Sequence, residues 1–353
     1  MSESSTDRRS QLLAIKLQAL VGDHLGQQVA AGAETFPSGA ALMADDAAWV
    51  LADGPAARAL GGALVWAIRR SATQLHLIAE SDTGLLARRA EAFSLPTTVW
   101  FAEGRTLLAA VAEPLAAPSP VASPHEALRE LIIEGGATPN VEHGVLVGEV
   151  RGLEVCRVVD RPTIGFLGEL SELAEHLPAD SDGLRLEVGV GAADREGFQL
   201  LHGEVPKVEA LASVVHAVET HRSTGSPQHP LNRLGVERFL RWQAEQEPRT
   251  VGCSSLSPGQ PPLPRPNLKD PTPCVADGVD LAGNSTRVVF SSGVDLDLLP
   301  FVADVQAMGD EPVVLVLPER DLLPVVSELA GLLVDQVEIV ALPAPESGDR
   351  IPE

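Results

Sequence analysis

Residues 288–342 read VVFSSGVDLDLLPFVADVQAMGDEPVVLVLPERDLLPVVSELAGLLVDQVEIVAL. Short apolar runs rich in Val and Ile alternate here with helical spacing. Val288-Val289-Phe290 reads as a strand, 295–307 as a helix, Val313 to Leu317 as a strand, 322–333 as a helix and Val337 to Leu342 as a strand. This alternation predicts a parallel α/β unit with two crossover helices.

A second stretch near the N-terminus has the same layout. Trp49 to Ala52 is a strand, Leu60, Leu64 and Ile68 recur at helical spacing, and Leu75 to Ala79 is the next strand. Leu85 to Phe93 is a helix and Thr97 to Phe101 the third strand. Gly54 lies 26 residues before Glu80, as Gly293 does before Glu319. The two stretches read as copies of one unit, or as two ordinary segments whose lengths coincide because helices and strands have narrow length distributions. A three-stranded parallel unit leaves sheet edges open and is marginal by itself, so the two are expected to associate, each with right-handed crossovers.

The expected class is therefore α/β, with two parallel βαβαβ-like units flanking a central α+β module. Within the 353 residues the expected segments are a disordered tail at 1–9, a helix plus α/β unit at 10–112 and a Pro-rich linker at 113–124. The central α+β module covers 125–246, a Pro-rich disordered linker 247–285, the C-terminal α/β unit 286–342 and a tail 343–353. The first helix is expected from Ser10 to Ala31 with Leu13, Leu17, Leu20, Val21 and Leu25 as its apolar stripe, for packing on its own domain or for dimerisation. Gly32 to Asp46, rich in Gly and Ala, is expected to be irregular. The segment 247–285 carries eight prolines and few large apolar residues, which predicts a mobile connector.

An apolar fraction of 44% supplies a sizeable core. The formal charge of −23 argues against general nucleic-acid or anionic-membrane binding, because phosphate contacts need Lys and Arg. Three scattered cysteines, Cys156, Cys253 and Cys274, show neither a disulfide framework nor zinc spacing. With no signal-type N-terminus and no 18-residue apolar run, the expected setting is cytoplasmic, without a membrane.

In parallel α/β sheets, ligands bind outside the carboxyl ends of the strands. That rule selects Asp53, Gly54, Glu80 and Asp82 in the first unit, and Ser291, Ser292, Gly293, Glu319 and Asp321 in the second. Ser292-Gly293 can offer backbone N–H groups to an anion; the acidic residues equally suit the first turns of the following helices. Neither G-x-G-x-x-G nor a Walker loop is present, so no cofactor is assigned.

The central module runs helix (125–134), strand (145–150), strand (153–159), helix (165–176), strand (184–190) and helix (194–201). Glu130 or Glu134 lies on the first helix, Glu154 on the second strand and Glu187 on the third. This order resembles the αβββα core of restriction-endonuclease-like nucleases. The resemblance implies Mg²⁺ held by such carboxylates, lowering the pKa of an attacking water, with Glu154, Glu187 and Glu130 in the catalytic roles. That family carries an acidic residue, any residue, then Lys on its third strand. Glu187-Val188-Gly189 lacks the Lys, which allows a non-cleaving version. A last helix from Leu231 to Glu245 carries Arg233, Arg238 and Arg241, either as a solvated face with an intrahelical Glu237–Arg241 pair or as a phosphate-contacting patch. His216 and His221 are five apart, unlike helical metal ligands, and no metal site is assigned. With no complete catalytic signature, the sequence is read first as an interaction or regulatory protein with a protein partner or self-association. The alternative is a metal-dependent nuclease-like enzyme, active or degenerate.

Overall fold

The computed structural model describes residues 3–37, 39–160, 184–202, 207–223, 229–265, 267–268 and 270–343, with 3–7 and 198–202 described by backbone alone. The helix expected at 165–176 and the turn at 180–183 lie outside the described residues. The fold is mixed α/β: among the described residues there are three sheets, two of them mixed with parallel pairs and one antiparallel. No helix is long and apolar enough to cross a membrane among the same residues. The chain divides into two compact units. One comprises Met1–Ala116, Val294–Val313 and Leu322–Glu338; the other comprises Ala117–Gly293, Val314–Asp321 and Ile339–Glu353.

In the first unit α1 spans Glu3–Leu25, so 3–9, expected to be disordered, are helical. It stops at Leu25 because Gly26 turns the chain at φ +67°. Leu17, Leu20 and Val21 are buried against Leu42, Trp49 and Leu51, whereas Leu25 is exposed.

The stretch expected to be irregular instead forms β1 (Glu34–Phe36) and β2 (Gly39–Ala44). Ala40 and Ala41 are fully buried there, and tertiary packing overrides the weak strand propensity of Gly and Ala. With β3 (Ala47–Ala52), β4 (Gln74–Ala79), β5 (Thr97–Glu103) and β6 (Thr106–Ala109) they make a six-stranded sheet in sequence order. The pairs β3–β4 and β4–β5 are parallel; the others are antiparallel. The crossovers are α2 (Leu60–Ile68) and α3 (Thr83–Ala90).

Helix α2 is apolar nearly all round, and a helix of that kind must be covered on more than one side. The cover includes α9 (Leu298–Gln306) and α10 (Pro324–Ala330), which belong to the same unit and pack on α2, with α9 also on α3. The approach is close: a Cβ on Gly61 would lie 1.9 Å from the Leu296 carbonyl oxygen. Buried Asp304 on α9 accepts from Arg89 Nε at 2.8 Å and from Arg88 Nε at 3.2 Å. The turns that end α3 and α10 also pair with each other. Ser94 N donates to Leu332 O at 2.7 Å, Val334 N donates to Ala92 O at 2.9 Å, and Phe93 and Leu333 form an antiparallel bridge.

The second unit opens with the short helices α4 (Ser123–Glu126) and α5 (Arg129–Glu134). An antiparallel meander follows: β7 (Thr138–Glu142), β8 (Val145–Val150), β9 (Leu153–Asp160) and β10 (Leu184–Val188). Strand β7 is additional to the sequence reading; Pro139 and Asn140 obscure it, and its place at the sheet edge tolerates them. Helices α6 (Ala192–His202) and α7 (Lys207–His221) come next. The helix expected from Leu231 is split: a 3₁₀ turn at Pro230–Arg233, then α8 (Val236–Gln246) starting after Gly235 at φ +51°.

The linker expected over 247–285 is also corrected, because it holds β11 (Cys253–Pro258) and β12 (Cys274–Asp280). Together with β13 (Ser285–Phe290), β14 (Val313–Pro318) and β15 (Glu338–Leu342) they form a five-stranded sheet in sequence order. Pro258 and the serines are tolerated because β11 is an edge strand. Cys253, Cys274, Val288, Phe290 and Val316 share a core with Leu240 and Ala244 of α8. In chain order this half therefore runs α8-β11-β12-β13-α9-β14-α10-β15, the same element order as α1-β1-β2-β3-α2-β4-α3-β5.

Candidate functional site

The four-stranded meander has two unlike faces. Leu146, Val150, Leu153, Cys156, Val158, Leu186 and Val188 pack with Ile132 of α5 and with Leu211 and Val215 of α7. The other face is ionic. Its geometry depends on an irregularity in the β8–β9 register: Gly148 pairs with Cys156 but Glu149 pairs with Glu154, so Val155 is an extra residue. A bulge re-aims side chains. Here it lets Glu154 and Arg157, three apart, point the same way. Arg157 then forks onto both oxygens of Glu154, at 3.0 and 3.1 Å.

Glu149 and Glu154 are thus buried neighbours across two strands, 6% and 1% exposed, a like-charge pairing that requires cations. Glu154 receives Arg195 at 3.0 Å and Arg265 at 2.8 Å in addition to Arg157. Glu149 receives Arg241, Arg238 at 3.2 Å and the Asn140 amide at 3.3 Å. Arg238 also reaches Glu142 at 2.6 Å, and Arg241 reaches Glu245 at 3.0 Å. Burial by itself pushes the Glu149 carboxyl up, but Arg241 and Arg238 beside it, with the hydrogen bonds, bring it down to about 2. Arg238 and Arg241 are raised despite their burial, by these same carboxylates.

The three carboxylates expected to act together do not form one cluster. Glu187 meets Arg195 Nε at 3.5 Å, on the guanidinium that also holds Glu154. Glu130 is exposed on α5, and α5 packs on the opposite, apolar face. Among the described residues no group of three or more His, Cys, Asp or Glu is placed to hold a metal ion.

The basic patch is corrected as well. Arg238 and Arg241 are 3% and 1% exposed and paired with acids, so neither can contact a phosphate; Arg233 is exposed in the 3₁₀ turn. Glu237 does not pair with Arg241. It accepts the Ser292 hydroxyl at 3.0 Å, and burial raises its pKa. Arg222, just upstream of this helix, is fully buried and donates to the carbonyls of Arg151, Leu231, Leu234 and Gly235.

The strand-end residues of the first sheet do come together. Asp53, Gly54 and Glu80 line a cleft of about 280 Å³ with Leu13, Lys16 and Ser81. Two cationic side chains of α1 already cross it, Arg9 to Asp53 at 2.8 Å and Lys16 to Glu80. At the corresponding end of β13, the Gly293 N–H is taken by Asp321 at 2.8 Å and Ser292 is bound to Glu237, so the expected anion-binding pair is already satisfied. Glu319 is exposed.

Sequence reasoning missed the cations Arg157, Arg195 and Arg265, and the acids Glu142 and Glu149. Alternation in β8 marked Glu149 as sharing a face with Val147; nothing local marked Arg265, which lies in the Pro-rich stretch. It also missed an aromatic–imidazole cluster in the first unit. Trp49 stacks on His76 at 3.9 Å, Trp100 Nε1 donates to His76 Nδ1 at 3.1 Å, and His24 of α1 lies edge-on to Trp100 at 4.5 Å. Burial, with the His24 charge, lowers His76 to about 4. Cys156, Cys253 and Cys274 are buried, and burial pushes the Cys156 and Cys274 thiols up to about 12, away from thiolate chemistry. Comparison with protein-family models, with curated proteins and with solved structures gave no match.

Proposed function

We propose that the chain is a non-catalytic interaction or regulatory protein, with a protein partner or a second copy of itself as its target. The observation that carries this reading is the state of Glu154: a carboxylate that forks onto Arg157 and also receives Arg195 and Arg265 has no oxygen left for a metal ion or an attacking water. The ionic face is then an adhesive that fastens α6, α8 and the Arg265 segment to the meander. A reducing, cytoplasmic setting suits the scattered cysteines Cys156, Cys253 and Cys274.

The finer architecture belongs to the same proposal. We infer that the two ends of the chain are copies of one helix-plus-sheet design, joined through their crossover helices. The shared element order supports it. So does the reciprocal pairing of Ala92-Phe93-Ser94 with Leu332-Leu333-Val334: the third residue of each turn donates to the first of the other and the middle residues face each other, as in an isologous contact.

The test is incubation of the purified chain with single- and double-stranded DNA and RNA in Mg²⁺ or Mn²⁺. No cleavage is expected. Cleavage that disappears in Glu154→Gln or Glu187→Ala would overturn the reading in favour of the nuclease-like alternative.

A further inference from the structure

We propose that the outer face of α1 is a self-association surface, occupied by the same face of a second copy in antiparallel orientation. In the second unit, α8 is covered on both sides. Leu240 and Ala244 meet its sheet, while Arg238 and Arg241 meet Glu142 and Glu149 of the meander. Helix α1 holds the matching place in the first unit and uses Leu17, Leu20 and Val21 against its sheet. Its other side faces away from that sheet. Leu12 and Ile15 stand there 59% and 62% exposed.

The face is self-complementary. Leu12, Ile15, Ala19 and Gly22 are spaced three and four apart and so share one stripe, the pattern of a helix–helix seam. The first two protrude. The last two, with Gly26, Gln28 and Val29, line a groove of about 550 Å³ that also reaches Ile15. Space beside Gly26 is open, with nothing within 4 Å of where a Cβ would be. An antiparallel two-fold seats Leu12 and Ile15 of each copy in the other's groove at the level of Gly22 and Ala19, beside the Gln27 carbonyl that covers Gly22 at 3.3 Å from where a Cβ would lie, and every contact occurs twice. Charge selects the same orientation. Arg8 lies at one end of the stripe and Asp23 at the other, so antiparallel helices bring unlike charges within a turn of each other, whereas parallel helices stack Arg8 on Arg8. The exposed Arg105–Asp23 pair is a weak competitor.

The inference names a partner for the interaction reading above and rests on it. Sedimentation equilibrium of the full chain over a concentration series is expected to give the mass of two chains. Ile15→Glu and, separately, Ala19→Phe should weaken the association roughly tenfold or more while leaving the circular dichroism spectrum unchanged. Arg8→Glu and Asp23→Lys should each weaken it, and the double variant should recover it. A one-chain mass at every concentration, or a two-chain mass indifferent to Ile15→Glu and to charge reversal, would sink the proposal. Either result would leave the non-catalytic reading to be judged by the cleavage assay alone.

Discussion

Glu149 shows how a carboxylate can be fully buried and still charged. Its depressed pKa is a stability statement. A carboxylate whose folded value lies below its unfolded one contributes stability above the unfolded value, and loses it as pH falls through the folded one. For Glu149 that window runs from about 4.5 down to about 2. Glu149→Gln should cost about 3–5 kcal/mol at neutral pH, because it leaves two buried guanidinium groups without their shared anion. Denaturant titration measures this, and repeating it across the window should show a flatter pH dependence in the variant. His76 acts at higher pH. Its folded value near 4 lies below the ordinary 6.5, so its contribution is complete above 6.5 and is lost as pH falls towards 4. Protonation at Nδ1 also removes the acceptor for Trp100. Tryptophan emission should therefore change with a midpoint near 4, and His76→Phe should abolish that transition.

At the scale of elements, the contacts that matter are close approaches of backbone. Helix α8 lies so near the β8–β9 turn that a Cβ on Gly152 would come within 2.2 Å of the Arg238 carbonyl oxygen, and Gly152 already sits at φ +72°. Gly152→Ala is expected to shift the helix or unfold the unit, at a cost of about 2 kcal/mol or more. Asp304 fastens α9 to α3 through two arginines. Asp304→Ala should destabilise by about 3 kcal/mol, read as an earlier midpoint in chemical denaturation. These elements were legible in unequal degree. The run around Val50 was plain, because a strand buried on both faces has continuous apolar sequence, and the runs around Leu77 and Val99 were marked by their β-branched and aromatic residues. Strand β11 was hidden, because an edge strand is allowed the Ser and Pro that signal a connector elsewhere, and interior β12 was hidden by its two Asp and its Gly, residues depleted in strands.

For the whole molecule, the consequence is that the C-terminal crossover helices complete the N-terminal unit. Leu60, Leu64 and Ala67 of α2 are fully buried in a unit that includes Leu299 and Val302 of α9. A chain ending before Val294 would lack α9 and α10 and leave Arg88 and Arg89 without Asp304. Such a chain should be aggregation-prone and should be cleaved first within 1–116 in limited proteolysis, whereas the full chain resists there.

The candidate site divides along the same lines. The sequence by itself determined the alternating strands and helices at both ends, the parallel strands at the N-terminal one, and the meeting of Asp53, Gly54 and Glu80 at the carboxyl ends of two neighbouring strands. Those follow from local periodicity and from where a strand must end. It also marked Glu154, Glu187, Arg238 and Arg241 as the charges of the central module. What they do was decided only by tertiary structure. A one-residue bulge at Val155 turned Glu154 towards Arg157, and elements distant in the chain supplied Arg195, Arg238, Arg241 and Arg265. A charge on an amphipathic strand or helix reads as solvent-facing until a second element covers it, and covering is a long-range event that no local pattern encodes.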